Sequence, residues 1–214
     1  MKINNKIILV FLSLALVTGC ATNRGIIDVE SSVSMNPVDG EAIKFTRVTD
    51  KRDFQLKPRQ ANIPSLKNGE IDDPSITARA IARKRNTYGK ALGDILLPDG
   101  KTVMDVVENR LSAGFRENGY RVLSAGETGY TEAIPIEVDI EKFWGWFNPG
   151  FWSIGLNFQT SIIVTAPLGS FSEGLQFGSE VEKRFQTAAG SNWQTVINLS
   201  LDELNQDIRE KLTQ

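Results

Sequence analysis

Three acidic residues at alternating positions are the best candidates in this sequence for acid and base chemistry. Glu137, Asp139 and Glu141 would share one face of a β-strand, with about 6.6 Å between successive side chains. That spacing approaches the carboxyl separation of inverting glycosidases. A glycosidase acid also needs an apolar niche that raises its pKa, whereas alternating acids are typical of a strand face in contact with water. The pattern therefore indicates a solvated strand face more strongly than a catalytic pair.

The chain contains no histidine and one cysteine, Cys20. Without histidine, the commonest general base and the commonest metal ligand are missing. Nucleophiles activated by histidine are therefore excluded, and zinc would need carboxylate ligands alone. Neither a phosphate-binding GxxxxGK[ST] loop nor the spacing of a calcium loop occurs. We expect no enzymatic activity, no cofactor and no metal.

The residues that end in Cys20 match the lipobox, the acylation site of bacterial lipoproteins. Val17-Thr18-Gly19-Cys20 follows a short basic start and an apolar run of about 11 residues. An apolar run of this length is too short to span a bilayer as a permanent helix. The sequence therefore predicts a signal peptide at 1–19, and a lipidated Cys20 as the N-terminus of the mature protein.

The residue after the cysteine predicts the membrane to which the protein goes. Position 21 is alanine rather than aspartate, and the sorting rule of enterobacterial lipoproteins sends such a protein to the outer membrane. Three acyl chains, at about 0.8 kcal/mol per buried methylene, make a permanent anchor. We expect a protein anchored to the outer membrane through acylated Cys20 and facing the periplasm. With 24 basic and 26 acidic residues, it is not expected to bind nucleic acid.

The most basic run of the sequence is Arg83-Lys84-Arg85. Asp73-Pro74 ahead of it is typical of an N-cap followed by proline at the first helical position, which predicts a helix from 74 to 84. Cations in the last turn would then complement the helix dipole and face water. Alternatively, the run contacts an anionic partner such as lipopolysaccharide phosphate, phospholipid head groups or an acidic protein.

The segment 141–152, EKFWGWFNPGFW, contains six aromatic residues in ten positions. Each large aromatic side chain can bury about 150–250 Å². The largest apolar patch of a typical monomer is only about 300–600 Å², so part of this cluster must be covered. The residues that we predict to contact a partner or a membrane are Phe143, Trp144, Trp146, Phe147, Phe151 and Trp152.

Strand alternation predicts the side of the sheet on which each of these side chains lies. If the inward pattern of 134–140 continues without interruption, Trp144 and Trp146 point into the core. Phe143 and Phe147 then join the acidic outer face. Three coverings are possible: the segment 51–100 folded over the hairpin, the membrane surface beside the anchor, or a protein partner.

Hydrophobic periodicity predicts one α+β domain at 41–214, after a lipidated cysteine and tether at 20–40. Two amphipathic helices begin at capping boxes, Thr102 with Asp105 and Ser191 with Gln194. Strands are predicted at 42–48, 120–124, 134–141, 152–165 and 175–187.

The connections between the last three strands are short, which requires antiparallel pairing. We therefore predict one mainly antiparallel sheet, with both helices packed on one face and an irregular insertion at about 51–100.

This order of elements resembles the YajG-like family of uncharacterised bacterial outer-membrane lipoproteins, some of which are labelled flagellar biosynthesis proteins. The shared features are the lipobox, a short first strand, a helix leading into a Gly119-Tyr120 strand, long antiparallel strands and a C-terminal amphipathic helix. The resemblance spans about 1–50 and 100–214, with 51–100 as an insertion. It implies a fold and a location, and it supplies no catalytic residues.

The sequence thus predicts a lipid-anchored, periplasm-facing protein that binds or scaffolds other envelope components, with an envelope protein as its expected partner. The alternatives are an accessory to lipid or lipopolysaccharide transport and, more distantly, an envelope glycan hydrolase.

Overall fold

The computed structural model describes residues 24–32, 34–85, 90–150 and 152–213. The predicted signal peptide, Cys20 and Phe151 lie outside the described residues. In chain order, the described elements are β1 Gly25–Ile26, β2 Ala42–Asp50, α1 Pro74–Thr77, β3 Ala80–Arg85, β4 Ala91–Leu96, α2 Val103–Glu117, β5 Arg121–Val122, β6 Ile134–Pro149, β7 Ile154–Thr165, β8 Leu175–Phe185 and α3 Gly190–Leu212.

The fold is α+β as predicted, but the sheet is mixed, so the prediction of a mainly antiparallel sheet was wrong. Four of the seven strand pairings among the described residues are parallel: β1 with β4, β2 with β5, β2 with β6, and β3 with β6. The predicted antiparallel ladder of β6, β7 and β8 is present. The parallel pairings were missed because they join strands connected through long segments, where a short loop no longer dictates direction.

The long strand β6 is the axis of the sheet, and one of its edges is shared by two strands. Its first half pairs with β2, which ends with Asp50 opposite Ile140. Its second half pairs with β3, where Ala82 lies opposite Gly145. The segment that connects β2 to β3 must therefore leave the edge and return to it.

Arg52 lies where β2 leaves the edge of β6 and β3 joins it, and its side chain connects these segments. Its buried guanidinium pairs with Asp50 at 2.6 Å and donates hydrogen bonds to the carbonyl oxygens of Thr77 (2.8 Å), Ala80 (2.5 Å) and Phe143 (3.1 Å). Buried carbonyl groups without partners would be costly, so this one side chain satisfies backbone groups on two strands and the turn before β3.

The predicted helix from 74 to 84 was wrong. Only α1, four residues long and N-capped by Asp73, is helical, and the chain then enters β3. Ala80, Ile81 and Ala82 are fully buried, because β3 lies between β4 and β6. Tertiary burial therefore overrides the helical preference of these alanines.

The two amphipathic helices pack against one face of the sheet, as predicted. Gly114 of α2 faces Ile208 of α3 so closely that a Cβ atom at Gly114 would lie 2.3 Å from the Ile208 side chain. The capping box of Thr102 and Asp105 starts α2 as predicted. The predicted box at Ser191 is absent, because the N-cap of α3 is Ala189, two residues earlier, and the helix begins at Gly190.

Residues 24–32 and 34–40 are not a free tether. Gly25–Ile26 pairs with β4 at the edge of the sheet, and Val29 is only 1% exposed. Further along, the side chain of Asn36 exchanges hydrogen bonds with both backbone groups of Val122, at 2.9 and 3.0 Å. Cys20 stands four residues before Arg24, so the chain allows at most about 14 Å between them. The described part of the predicted tether at 20–40 instead packs against the domain.

Candidate functional site

A β-bulge in β6 decides which way the aromatic side chains point. Ile140 pairs with Ile162 of β7, but Lys142 pairs with Ser161, so Glu141 is one extra residue on β6. Glu141 and Lys142 are both exposed. Every residue after the bulge therefore points to the face opposite to the one that uninterrupted alternation predicts.

Phe143 and Phe147 consequently lie in the main core beneath α3, and not on the acidic outer face. The ring of Phe143 packs edge-on against Phe158, with 5.1 Å between the ring centroids. Between the two phenylalanines, a Cβ atom at Gly145 would lie 2.9 Å from the ring of Trp193. Glycine at this position therefore lets the α3 tryptophan lie directly on the strand.

Trp144 and Trp146 lie on the opposite face of the sheet, beneath the segment 54–76. Phe54 packs edge-on against Trp144 at 5.8 Å, and the Trp144 indole donates a hydrogen bond to the carbonyl oxygen of Ala61 at 3.4 Å. The other side chains in this second cluster are Leu66, Ile71, Ile76, Ala80 and Leu96. The insertion therefore covers part of the aromatic segment, but it covers the tryptophans and not the phenylalanines.

Four of the six aromatic residues predicted to contact a partner or membrane are thus core residues. Phe143, Trp144, Trp146 and Phe147 are all buried, so none of them presents a surface to a partner in this structure. Trp152, at the hairpin tip, is 83% exposed. The aromatic surface expected from the sequence is therefore reduced, among the described residues, to this one tryptophan.

The basic run lies on β3 and borders a cleft of about 820 Å³, which we call the basic cleft. Arg83 and Arg85 line its strand side, whereas Lys84 between them does not line it. The opposite wall comes from the segment 56–69. The lining residues are Leu56, Lys57, Pro58, Leu66, Gly69, Arg83, Arg85 and Ala91.

Arg83 lines the basic cleft and is only 9% exposed. Its Nε atom is buried and has no hydrogen-bond partner among the described residues. The nearest carboxylate oxygen, on Asp94, lies 3.8 Å away, which is too far for a hydrogen bond. The buried Asp94 also pairs with Arg24 at 3.3 Å, so its negative charge is shared between two guanidinium groups.

Burial lowers the pKa of Arg83, because desolvation disfavours the charged guanidinium, and the Asp94 carboxylate opposes this shift only in part. Burial likewise lowers the pKa values of Lys84 and Arg85. The protein therefore holds several cations in an environment that penalises their charge. An anion bound beside Arg83 would supply the hydrogen bonds and the opposite charge that this environment lacks.

The outer wall of the basic cleft includes one residue with an unusual backbone conformation, Lys57. Lys57 has a φ of 50°, the left-handed region, and it is the one non-glycine residue with positive φ in the described part of the chain. That conformation costs about 1–2 kcal/mol for a residue with a side chain. Beside it, Leu56 is 65% exposed. Across the cleft, Arg85 donates a hydrogen bond to Ser65 at 2.9 Å, which ties β3 to the covering segment.

The charge of the basic cleft is opposite to that of the whole chain. Lys57, Arg83 and Arg85 all line it, and no acidic side chain does so among the described residues. The chain itself carries a net charge of −2. The basic run marked one wall of the cleft in the sequence, but nothing marked Lys57, which stands 26 positions before Arg83 in an irregular segment.

None of the three alternating carboxylates is buried, and two of them, Glu137 and Asp139, pair with basic neighbours. Arg47 pairs with both Glu137 and Asp139, the latter at 3.2 Å, and Lys51 pairs with Asp139 at 2.6 Å. Glu141 is the exposed extra residue of the bulge. None of the three occupies an apolar niche, so the geometry gives no support to a glycosidase pair.

The described ranges contain neither a metal-binding cluster nor a helix suited to cross a membrane. No group of three or more histidine, cysteine or acidic side chains there is arranged to hold a metal ion. None of the helices there combines the length and the apolar character needed to cross a bilayer.

Comparison with known proteins gives little further information. No protein-family profile matches the chain, and no curated protein matches it. One solved structure, described as the crystal structure of an uncharacterized protein, aligns with a TM-score of 0.45 and 8% identity. The alignment covers 89% of this chain and 97% of that chain. Similarity at this level says nothing about function, and membership of the YajG-like family stays a prediction.

Proposed function

We propose that this chain is a lipid-anchored protein of the bacterial outer membrane that faces the periplasm and binds an anionic ligand in the basic cleft. Its role is binding rather than catalysis. The lipobox ending in Cys20, followed by Ala21, supports the anchor and its location. The observation that carries the binding role is Arg83, a buried guanidinium whose Nε lacks a hydrogen-bond partner among the described residues.

Our proposal assigns ligand binding to the basic cleft, whereas the sequence pattern predicted a binding surface at the aromatic hairpin. Phe143, Trp144, Trp146 and Phe147 are all buried, so these four side chains do not present a surface to a scaffold partner. In contrast, the walls of the basic cleft carry three cations, and no acidic side chain lines the cleft among the described residues. Charge complementarity therefore favours an anionic ligand at this site.

The lipidated full-length protein, reconstituted in phosphatidylcholine nanodiscs, can be titrated with inorganic pyrophosphate in an isothermal titration calorimeter. We expect saturable binding that weakens at least tenfold in Arg83→Gln, because the variant loses the charge-assisted hydrogen bonds to the anion.

Lys183→Gln is the matched control, since it removes one positive charge from an exposed position on β8, at the far side of the sheet. Equal binding by Arg83→Gln and Lys183→Gln would show that the anion does not occupy the basic cleft. An absence of binding by the parent protein would reject the proposed function.

An accessory role in lipid transport is a second candidate, and one observation favours it. The basic cleft is lined not only by cations but also by Leu56, Pro58 and Leu66. A site for a fully hydrated inorganic ion would not need this apolar wall.

A further inference from the structure

The basic cleft has two chemically different parts. Arg83 and Arg85 occupy its strand wall, whereas Leu56, Pro58 and Leu66 stand on the covering segment. Leu56 is 65% exposed, although neighbouring apolar residues of the same segment pack over the tryptophans. The strand wall carries two guanidinium groups, and the covering segment carries apolar groups and the Lys57 ammonium. This combination matches a molecule with an anionic head and an apolar body.

The strand directions place the basic cleft at one particular end of the sheet. Because β3 is parallel to β6, with Ala82 opposite Gly145, the chain runs past Arg83 and Arg85 toward the level of the hairpin tip. The β6–β7 turn at this end carries the exposed Trp152. An exposed tryptophan is typical of the zone where a protein meets lipid head groups.

The lipid anchor enters the structure beside the same end. Strand β1 is parallel to β4, with Gly25 opposite Ile95, which puts Arg24 beside Asp94 and at the level of Arg83. Cys20 lies four residues upstream, so its acyl chains begin within about 14 Å of Arg24. The Debye length is about 8 Å at physiological ionic strength, so this distance is less than about two Debye lengths. The basic cleft is therefore held close to the bilayer surface.

We infer that the ligand of the basic cleft is the phosphate-bearing head group of a lipid from the membrane that anchors the protein. This inference rests on the proposed function and names its ligand. Guanidinium groups match phosphate oxygens in geometry as well as charge, and the site offers two of them together with the Lys57 ammonium. The head group contacts Arg83, Arg85 and Lys57, while the first part of the acyl chains rests on Leu56 and its apolar neighbours.

The volume of the basic cleft agrees with this assignment. About 820 Å³ accommodates a ligand of drug-like size, such as a phosphorylated glycerol head with the beginning of its chains, but not a complete membrane lipid. The remainder of the acyl chains would stay in the bilayer. The cleft therefore binds the head group and does not have to enclose the whole lipid.

The test compares two soluble probes on the lipidated full-length protein in phosphatidylcholine nanodiscs, by isothermal titration calorimetry. The probes are dihexanoyl phosphatidic acid, which carries phosphate and short acyl chains, and inorganic phosphate, which carries no apolar part. We expect dihexanoyl phosphatidic acid to bind at least tenfold more tightly. Partition of the short-chain lipid into the nanodisc is the same for every variant, so differences between variants report on the cleft.

Two substitutions separate the two parts of the cleft. Leu56→Ser is expected to weaken the binding of dihexanoyl phosphatidic acid about fivefold or more and to leave inorganic phosphate unchanged. Because Leu56 is mostly exposed, this variant should fold normally. Arg83→Gln should weaken both probes, Arg83→Lys should recover part of the loss, and Lys183→Gln should bind like the parent protein.

The outcomes distinguish failure of this inference from failure of the proposed function. Equal affinity for both probes, with no effect of Leu56→Ser, would overturn the lipid assignment but retain an anion site. If neither probe bound, both the lipid assignment and the anion site would be rejected. Tighter binding of the lipid probe that is insensitive to Leu56→Ser and Arg83→Gln would place the lipid elsewhere and overturn the inference.

Discussion

At the scale of single residues, two buried arginines of this chain have opposite surroundings. Arg52 donates hydrogen bonds to three carbonyl oxygens and pairs with Asp50, so its charge and its donors are satisfied by the protein. Arg83 lies 3.8 Å from the Asp94 carboxylate, too far for a hydrogen bond, and its buried Nε has no hydrogen-bond partner in the described chain. The first arrangement is that of a residue that stabilises the fold, and the second is the one that we propose a ligand completes.

Replacement of Arg52 by methionine tests the first role. We expect Arg52→Met to lower the free energy of unfolding by about 3–5 kcal/mol, because the carbonyl oxygens and Asp50 lose a buried partner. Urea denaturation followed by circular dichroism measures the change.

Arg47→Met is the matched control for that experiment. Its side chain is 47% exposed and pairs with Glu137 and Asp139 on the sheet surface, where solvent screening leaves an ion pair with little effect on stability. If both variants lost the same stability, Arg52 would not be the structural residue that we describe.

At the scale of elements, the bulge in β6 is the feature with the largest consequences. One inserted residue moves Phe143 and Phe147 from the acidic face to the core and moves Trp144 and Trp146 in the opposite direction. The sequence does contain a sign of this change. Glu141 and Lys142 are adjacent charged residues, and they interrupt the strict alternation that precedes them. Neighbouring charges in a half-buried strand are a reason to suspect a bulge.

The reversed faces predict unequal effects of two aromatic substitutions in the same hairpin. Phe143→Ala should lower the free energy of unfolding by about 3–5 kcal/mol, because it opens a cavity against Phe158 in the main core. Trp152→Ala should change it by no more than about 0.5 kcal/mol, because that side chain is exposed. Thermal and chemical denaturation of both variants provide the comparison. A stable Phe143→Ala protein would show that uninterrupted alternation describes β6 better than a bulge does.

The basic run was predicted to lie on a helix but lies on strand β3, because local signals and tertiary burial favour different elements there. Asp73 is an N-cap as predicted, and its side chain accepts a hydrogen bond from the Ser75 amide at 2.9 Å. A good start does not determine the length of a helix, however, and α1 ends after four residues. The alanines that follow are buried between two strands, a contact that no local pattern in the sequence reveals.

At the scale of the whole molecule, topology joins three features that are far apart in the chain. The residues next to the predicted anchor, the basic cleft and the hairpin tip meet at one end of the sheet, because β1, β3 and β6 have the directions described above. A domain tethered by only a few residues cannot turn freely on the membrane. The proposed orientation therefore depends on the anchor being at Cys20.

The anchor can be tested in cells with metabolic labelling by an alkynyl palmitate analogue, followed by membrane fractionation. Cys20→Ser should lose the label and disappear from the outer-membrane fraction, because the thiol that carries the acyl chains is missing. Ala21→Asp is the control, since it should keep the label but move to the inner membrane under the sorting rule. Labelling that persists in Cys20→Ser would reject the lipobox prediction.

The sequence by itself determined those features that depend on residues close together in the chain. The capping box of Thr102 and Asp105, the alternation of β7 and the apolar stripe of α3 are set by contacts within a few positions, and each was predicted. Only the tertiary structure decided which strands lie beside β6, where the bulge falls, and that Lys57 meets Arg83 across a cleft. These depend on contacts between distant residues, and the free energy of burying them together outweighs the local preferences that a sequence pattern reports.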